Sequence, residues 1–514
     1  MSALPILPVL IPLGTACLGM LGHRSLRAQQ TVSVAGAVAL VVVAVALLAR
    51  TATGEILTLD AGGWSAPFGI TFVADAFGAI MVLLAAVTGL AVVVYSVASV
   101  DLPRKRFLYY PLTHVLLAGV CGAFLTGDIF NLYVCFEILL LSSFVLLSLG
   151  SERGQLEGAI KYVTLNLISS AIFLSASGLL YGTLGTLNMA HLSVRAAEAV
   201  AEGRGHVVTI VAMLFMVSFG IKAAVFPLFF WLPASYHTPP FAVSALFAGL
   251  LTKVGVYAIV RVFTLIFVHD TGYTHTILLW VAALTMVSGV LGAAAQTEFR
   301  RVLSFHIISQ IGYMILGVAL LTPLAVAGTV FYIVHHIVVK ANLFLVAGVA
   351  HRIRGTSDLS RPGRVGVYAS APMVALLFMV PAMSLAGVPP LSGFWAKLIL
   401  IRAALDERAF VYVAVALLVG MMTLFSMTKI WAEAFWKSPG AGEGGAPGET
   451  APRTPAGMLA PIAVLAAITA GIGLGARPVF EFSVLAAGQL LDPEVYVVAV
   501  LGEAFATPVE GVEP

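Results

Sequence analysis

The hydrophobic positions of this chain form long continuous runs separated by short polar segments. A helix needs about 20 predominantly apolar residues to cross a bilayer, whereas barrel strands are shorter and alternate in polarity. The pattern therefore predicts an all-α integral membrane fold with about fourteen transmembrane helices. The predicted spans are 4–22, 32–49, 75–98, 109–126, 128–150, 157–182, 206–235, 240–267, 274–295, 302–322, 324–350, 370–402, 409–435 and 457–477.

Three segments depart from this pattern. Residues 186–202 carry too many charges to span and predict a short amphipathic surface helix. Residues 438–456 are rich in Gly, Pro and Glu, which is typical of a mobile loop. The tail from about 478 carries several acidic residues and is expected to lie at the surface.

Two of the predicted spans contain internal prolines. Pro227 lies inside span 206–235, and the pair Pro389-Pro390 lies in the middle of span 370–402. Proline removes a backbone donor and clashes with the preceding turn, so both helices, the seventh and the twelfth, are expected to break. Broken helices in corresponding halves of a membrane protein indicate a transport site.

The two breaks show a weak internal sequence similarity. The segment Pro-Leu-Phe-Phe-Trp at the first break resembles Pro-Leu-Ser-Gly-Phe-Trp at the second. We therefore expect four parts. Residues 1–108 form helices 1–3, residues 109–267 the first five-helix repeat, and residues 268–435 the second. Residues 436–514 hold the mobile loop, helix 14 and the tail.

Composition supports a membrane protein. Sixty per cent of the residues are hydrophobic, 10% are charged, and the mean hydropathy is +1.03, whereas soluble domains carry about 25% charged residues. A net charge of +3 gives no reason to expect a nucleic-acid partner. There is no P-loop and no C-x-x-C motif, and no cofactor is predicted.

Basic residues are distributed unevenly between alternate loops. One side holds clusters such as Arg104-Lys105-Arg106 and Arg300-Arg301, while the opposite loops hold scattered arginines. Lys and Arg favour the cytoplasmic side of a membrane. This predicts that both termini face the outside.

Five ionisable residues lie deep inside apolar spans: Glu137, Lys222, Lys253, Lys340 and Lys397. Insertion scales place the cost of a charge at a helix centre at roughly 2.5–3.5 kcal/mol, and such residues usually mark ion or proton pathways. Burial moves a lysine toward neutrality, so that a nearby charge can switch its protonation, which arginine does not allow. The pattern predicts a proton relay that begins with Glu137 paired to Lys222; the alternative is a static buried ion pair.

Histidine adds one candidate to the relay. His336 and Lys340 are four positions apart and share a helix face. A histidine titrates near neutrality and can pass a proton between lysines, although a buried structural histidine is the equal alternative. His335, His114 and His306 are expected to be structural. A metal site is not predicted, because adjacent helical histidines diverge and no H-E-x-x-H motif is present.

Several long motifs together carry a family resemblance. They are TGDIFNLYVCFEILLLSSFVLLSLG (126–150), FGIKAAVFPLFFWLPASYHTPP (219–240), RVLSFHIISQIGYMILG (301–317), VHHIVVKANLFL (334–345) and AGVPPLSGFWAKL (386–398). In this order they resemble the antiporter-like subunits shared by respiratory complex I and Mrp-type cation/proton antiporters. The resemblance extends from about residue 70 to residue 435.

The resemblance implies fourteen helices, two inverted five-helix repeats with helices 7 and 12 broken, and both termini outside. It also implies a secondary-transporter subunit, not an enzyme, that works in a bacterial cell (inner) membrane with other Mrp antiporter subunits and moves protons against Na⁺ or a similar cation. The family's functional positions fall on Glu137, Lys222, Lys253, Lys340 with His336, and Lys397.

Two other functions stay open at this stage. A subunit of a redox-driven proton pump, in complex I or a membrane-bound hydrogenase, would use the same fold and lysines but would need a soluble redox arm. A scaffold would use its charges only to lock subunits together. In that case neutralising Glu137 would disturb assembly more than transport.

Overall fold

The computed structural model describes residues 3–361, 363–437 and 453–505, and most of them are helical. The first half contains α1 (Leu7–Leu21), α2 (Leu26–Thr51), α3 (Ala76–Ser99), α4 (Leu102–Arg106), α5 (Tyr109–Leu125), α6 (Ile129–Ser148), α7 (Arg153–Leu184), α8 (Met189–Ala201), α9 (Gly205–Ala223), α10 (Trp231–Ser235), α11 (Phe241–Leu246) and α12 (Thr252–Leu265). The second half contains α13 (Thr271–Ala295), α14 (Phe299–Leu320), α15 (Pro323–Arg354), α16 (Val367–Ser370), α17 (Pro372–Ala386), α18 (Ser392–Asp406), α19 (Phe410–Ile430), α20 (Ala456–Leu474), α21 (Ala476–Leu491) and α22 (Pro493–Leu501).

Twelve helices in the described part of the chain are long and apolar enough to cross a membrane, and the bent pair α21–α22 would make thirteen if it crossed as one unit. The all-α membrane fold is thus confirmed. The apolar helices α5 and α17 are shorter than the others. Fourteen spans would require that α5 crosses the membrane and that α17 and α18 form one interrupted span. The count of fourteen and the two five-helix repeats therefore stay predictions.

The segments outside the long helices differ partly from expectation. Residues 186–202 do form a helix, α8, which begins at the capping residue Asn188 and lies beside α22. A short antiparallel hairpin of β1 (Leu57–Asp60) and β2 (Thr71–Ala74), which the hydrophobic pattern did not predict, joins α2 to α3. Most of the predicted loop, residues 438–452, lies outside the described residues.

For the described residues 478–505, the expectation that the tail lies at the surface is wrong for one face of α21. Helix α21 packs along α15 and buries Ala486, Ala487 and Leu490. The Gln489 side chain accepts a hydrogen bond from the backbone of Ala76 (2.9 Å) and donates one to the carbonyl of Gly54 (3.0 Å). The acidic residues of this segment suggested a solvated tail, but its apolar face and this glutamine fasten it to the bundle.

Helix α15 forms the centre of the molecule. It contacts α3, α11, α14, α17, α18, α20 and α21, and its most apolar 18-residue window is completely buried. Helices on the rim, such as α2, bury only about a quarter to a third of the corresponding window. The central helix carries His335, His336 and Lys340, and all three side chains are completely buried.

Candidate functional site

The first charged group joins α6, α7 and α9 through a serine. Sequence reasoning predicted a direct pair between Glu137 and Lys222, but no ion pair within 4 Å links them among the described residues. Instead, Ser170 of α7 accepts a hydrogen bond from Lys222 Nζ (3.1 Å) and donates a short one to Glu137 Oε1. The expected direct contact is therefore replaced by a serine bridge, because α7 inserts a small side chain between α6 and α9. The chemical consequence is an acid and a base linked by one hydroxyl group.

The two charged residues joined by Ser170 differ in how deeply they are buried. Lys222 is buried, and its Nζ lies 4.8 Å from the centre of the Phe136 ring. Glu137 is partly exposed along the side of the bundle. The charged group therefore extends from the interior of the subunit to its lateral surface.

The first helix break follows Lys222 directly. Helix α9 ends at Ala223, Ala224 adopts a left-handed conformation, and Pro227 lies in the non-helical stretch before α10. The freed backbone groups find side-chain partners, since Trp231 Nε1 donates to the carbonyl of Ile221 (2.9 Å). Interrupted helices are stable at membrane depth only when such partners or water satisfy the backbone.

The second break places Lys397 against the end of a half-helix. Helix α17 ends at Ala386, Gly387 turns with φ of 94°, and Pro389-Pro390 precede α18. Lys397 Nζ donates to the carbonyls of Leu385 (3.0 Å) and Ala386 (2.8 Å). The carboxyl end of a helix carries partial negative charge and unpaired carbonyls, which stabilise a cation.

Lys253 and Lys340 are completely buried, and neither has an acidic partner among the described residues. Lys253 follows a π-helical turn, Phe247–Leu251, and donates a short hydrogen bond to the carbonyl of Ala248 within that turn. Lys340 donates to the carbonyl of Leu303 (3.1 Å). An ammonium group has three donors, so each site leaves donors that internal water would satisfy.

The histidines lie between these lysines. Among the described residues, neither ring nitrogen of His336 has a partner, although the ring is completely buried and within electrostatic range of both Lys253 and Lys340. His306 is likewise buried with both nitrogens unpartnered, and it lies within electrostatic range of Lys340 and Lys397. His306, which was expected to be structural, lies near these buried lysines because α14 packs against α15 and α18.

His335 and His114 have hydrogen-bond partners. His335 Nδ1 lies 2.8 Å from Ser392 Oγ, at the start of α18, and Ser392 in turn bonds to Ser384 of α17 (2.9 Å). This network ties the central helix to both halves of the second break. His114 contacts Ser33 Oγ (2.8 Å) and so links α5 to α2. The described residues contain no group of three or more metal-ligating side chains.

A buried ion pair escaped the sequence analysis. Arg261 of α12, which lies near the end of the predicted span 240–267, forms an ion pair with Asp75 (2.6 Å), and both side chains are almost fully buried. Asp75 also caps the start of α3 through the backbone of Gly78 (2.7 Å). The Arg261 guanidinium lies 5.4 Å and 5.2 Å from the Tyr257 and Tyr496 ring centres. This pair joins α3, α12 and the tail.

Comparison with known proteins defines the class of the molecule. Residues 126–426 match the family described as NADH:quinone oxidoreductase/Mrp antiporter, TM. The fold is similar to a chain in the structure of the Mrp complex from Dietzia sp. DQ12-45-1b, with a TM-score of 0.89, 34% identity, and coverage of 98% of this chain and 100% of that chain. A chain of the membrane-bound sulfane sulfur reductase, an archaeal respiratory membrane complex, has a TM-score of 0.89, 27% identity, and coverage of 97% and 100%. The chain belongs to this family of multi-pass membrane proteins.

Within the family, the resemblance is to one kind of subunit, the D type of the Na(+)/H(+) antiporter. The chain is 46% identical to the D-type subunit of Alkalihalophilus pseudofirmus over 98% of this chain and 100% of the relative. It is 42% identical to the D-type subunit of Bacillus subtilis, with the same coverage. The GDIFNLYVCFE and SFHIISQIGYM stretches and a lysine at position 397 had favoured the D-type subunit of the Mrp antiporter, and that resemblance is confirmed.

Proposed function

We propose that this chain is the proton-translocating subunit of a multisubunit Na⁺/H⁺ antiporter in a bacterial cell membrane, with both termini outside. The D-type relatives and the Mrp complex neighbour support this function. The single observation that carries the proton path is the chemistry of the buried lysines. In the part of the chain that the structure describes, Lys253, Lys340 and Lys397 hydrogen-bond only to backbone carbonyls, and the fourth, Lys222, reaches its acid through a hydroxyl group.

A lysine bound to carbonyls can exchange its proton more readily than one held in an ion pair. A buried ion pair broken at one partner costs several kcal/mol, because the remaining charge stays uncompensated. Loss of a proton from Lys253 or Lys340 leaves no stranded carboxylate. These two sites therefore suit a group that alternates between charged and neutral forms.

The proposed path begins at Glu137. Glu137 and Ser170 hold and orient the proton on Lys222, and changes around Glu137 favour its release toward Lys253. His336 then mediates between Lys253 and Lys340, since its two unpartnered nitrogens allow it to accept a proton on one side and donate on the other. Water bridges the remaining gaps to Lys397.

The partial exposure of Glu137 indicates where a partner would bind. A carboxylate facing lipid at membrane depth is costly, and a neighbouring subunit would remove that cost. In an Mrp-type assembly the partners would be the other antiporter subunits, of types A, B, C, E, F and G. We propose that one of them covers the side of the bundle formed by α6 and α7.

A redox-driven proton pump is the second candidate, because respiratory complexes contain chains of this fold. Besides the sulfane sulfur reductase, respiratory complex I from Thermus thermophilus contains a chain of the same fold, with a TM-score of 0.79, 24% identity, and coverage of 95% of this chain and 100% of that chain. The higher identity to the D-type antiporter relatives favours the antiporter.

The test is cation-dependent dissipation of a pH gradient in everted vesicles that carry the complete complex. We expect Na⁺ to release the gradient in wild-type vesicles, and we expect Glu137→Ala to abolish this response while the complex still assembles. A wild-type complex without any cation response would contradict the antiporter. Loss of assembly in Glu137→Ala, with normal transport in whatever complex remains, would favour the scaffold.

A further inference from the structure

A cleft on the side of the bundle lies between α15, α18 and the junction of α20 and α21. Its volume is about 600 Å³, and apolar side chains such as Phe331, Trp395, Leu398 and Phe480 line most of it. Leu398 and Trp395 are both more than one-third exposed, so the cleft opens to the side of the bundle that faces the bilayer. Ligand sites in proteins commonly occupy about 300–1,000 Å³, so this cleft can hold a sizeable apolar group.

Charged residues gather at one end of this cleft. Arg402 and Asp406 are one turn apart on α18, and Arg477 stands at the start of α21. Arg477 also forms an ion pair with Glu481 (2.7 Å), which is exposed and therefore weak. Within the described part of the chain, Arg402 and Asp406 have no ion pair or hydrogen bond through their side chains.

This end of the cleft lies where the neighbouring helices stop. Helix α18 ends at Asp406, α20 ends at Leu474, and α15 begins at Pro323. Helices that cross a bilayer end near its polar boundary. The cleft is thus apolar along its length and carries positive and negative groups at the depth of lipid headgroups.

We propose that the cleft binds a phospholipid whose headgroup ends in a primary ammonium, such as phosphatidylethanolamine. The acyl chain lies along Trp395 and Leu398, the phosphate contacts Arg402 and Arg477, and the ammonium contacts Asp406. Guanidinium groups favour phosphate, and a carboxylate accepts hydrogen bonds from an ammonium. A purely anionic headgroup would repel the Asp406 carboxylate and offer it no cation. A choline headgroup has no N–H group to donate to that carboxylate.

The site has a mechanical consequence for α18. Lys397 faces inward from this helix to the end of α17, whereas Trp395, Leu398 and Arg402 border the cleft. A bound lipid therefore supports the outer side of the helix that carries Lys397. This inference does not depend on which cation the complex exchanges.

The test uses the purified assembled complex, stripped of lipid with detergent and then supplied with defined lipids. Binding is measured by native mass spectrometry, and the thermal midpoint is recorded with dioleoyl phosphatidylethanolamine, phosphatidylcholine or phosphatidylglycerol. We expect phosphatidylethanolamine to bind best and to raise the midpoint most. Arg402→Gln should weaken its retention about tenfold, as expected for loss of one charge-assisted hydrogen bond.

Neighbouring residues supply matched controls. Glu407 and Arg408 follow Asp406 directly but do not line the cleft, so Glu407→Gln and Arg408→Gln should retain the lipid. Asp406→Asn should remove the preference for phosphatidylethanolamine over phosphatidylcholine. Equal binding of the two lipids in wild type, equal losses in the control variants, or displacement of the lipid by millimolar inorganic phosphate would each overturn the proposal. Cross-linking of position 398 to a partner subunit would also overturn it.

Discussion

Removal of the Ser170 hydroxyl group tests the serine bridge directly. In Ser170→Ala, Lys222 loses its hydrogen bond to Ser170 (3.1 Å) and Glu137 loses the short one from the same oxygen. A hydrogen bond to a charged group contributes about 1.5–3 kcal/mol. Because each 1.4 kcal/mol corresponds to about a factor of ten, loss of one such bond in the transfer step should slow antiport by about tenfold or more. The fold should persist, since the deleted group is a single oxygen.

The neighbouring residue provides the control. Ser169, also on α7, bonds to the carbonyl of Ser218 on α9 (2.8 Å) and touches neither charge. We expect Ser169→Ala to leave transport close to wild type and Ser170→Thr, which keeps a hydroxyl group, to restore much of the rate. The assay is Na⁺-dependent gradient dissipation in everted vesicles, with assembly checked on native gels. Normal transport in Ser170→Ala, or an equal loss in Ser169→Ala, would refute the bridge.

Three further predictions concern the breaks, the buried ion pair and acid stability. Gly387→Ala should lower both the antiport rate and the thermal midpoint. The φ of 94° at this position strains alanine by about 1–3 kcal/mol, and the new Cβ would approach Lys397 Cδ to 2.9 Å. An unchanged midpoint would contradict this prediction. Arg261→Met should reduce the yield of folded protein in size-exclusion chromatography, because it leaves the buried Asp75 carboxylate without its partner at a cost of about 3–5 kcal/mol. Adding Asp75→Asn to this variant should restore the yield, and a double variant that folds no better would contradict this explanation. Burial lowers the pKa of His237, in the turn after α10, from 6.5 to about 4. As the pH falls, the unfolded state therefore binds a proton before the folded state does, and the free energy of unfolding should fall by up to about 3 kcal/mol between about pH 6.5 and pH 4. His237→Gln should flatten that part of a plot of thermal midpoint against pH.

Much of the architecture could be predicted because hydropathy reports lipid exposure directly. Most ends of the long helices fall within a few residues of the predicted spans; for example, 274–295 became Thr271–Ala295 and 302–322 became Phe299–Leu320. The breaks were visible because proline acts locally on the backbone. The tail was misjudged, since its charges lie on one face of α21 while the opposite face packs on α15.

Contacts between distant parts of the chain were the unpredictable portion of the site. Ser170 looks like any serine in an apolar helix, where its hydroxyl usually bonds the preceding turn. Only the packing of α7 against α6 and α9 gives it two charged partners. Asp75 and Arg261 are likewise far apart in sequence, and neither lies at the centre of a predicted span. The nearness of His306 to Lys340 and Lys397 likewise follows only from the packing of α14 against α15 and α18.

We propose that protons move along the buried lysines, and a comparison of Lys340 with Lys429 tests this path. Lys340 lies in the centre of the bundle. Lys429 lies near the end of α19 and, like Lys340, donates to backbone carbonyls, those of Ala294 (3.1 Å) and Gln296 (2.9 Å). Na⁺-dependent proton release should be measured in everted vesicles with equal amounts of assembled complex. We expect Lys340→Ala to abolish this release and Lys429→Ala to preserve it. Normal release in assembled Lys340→Ala vesicles would contradict the proposed path.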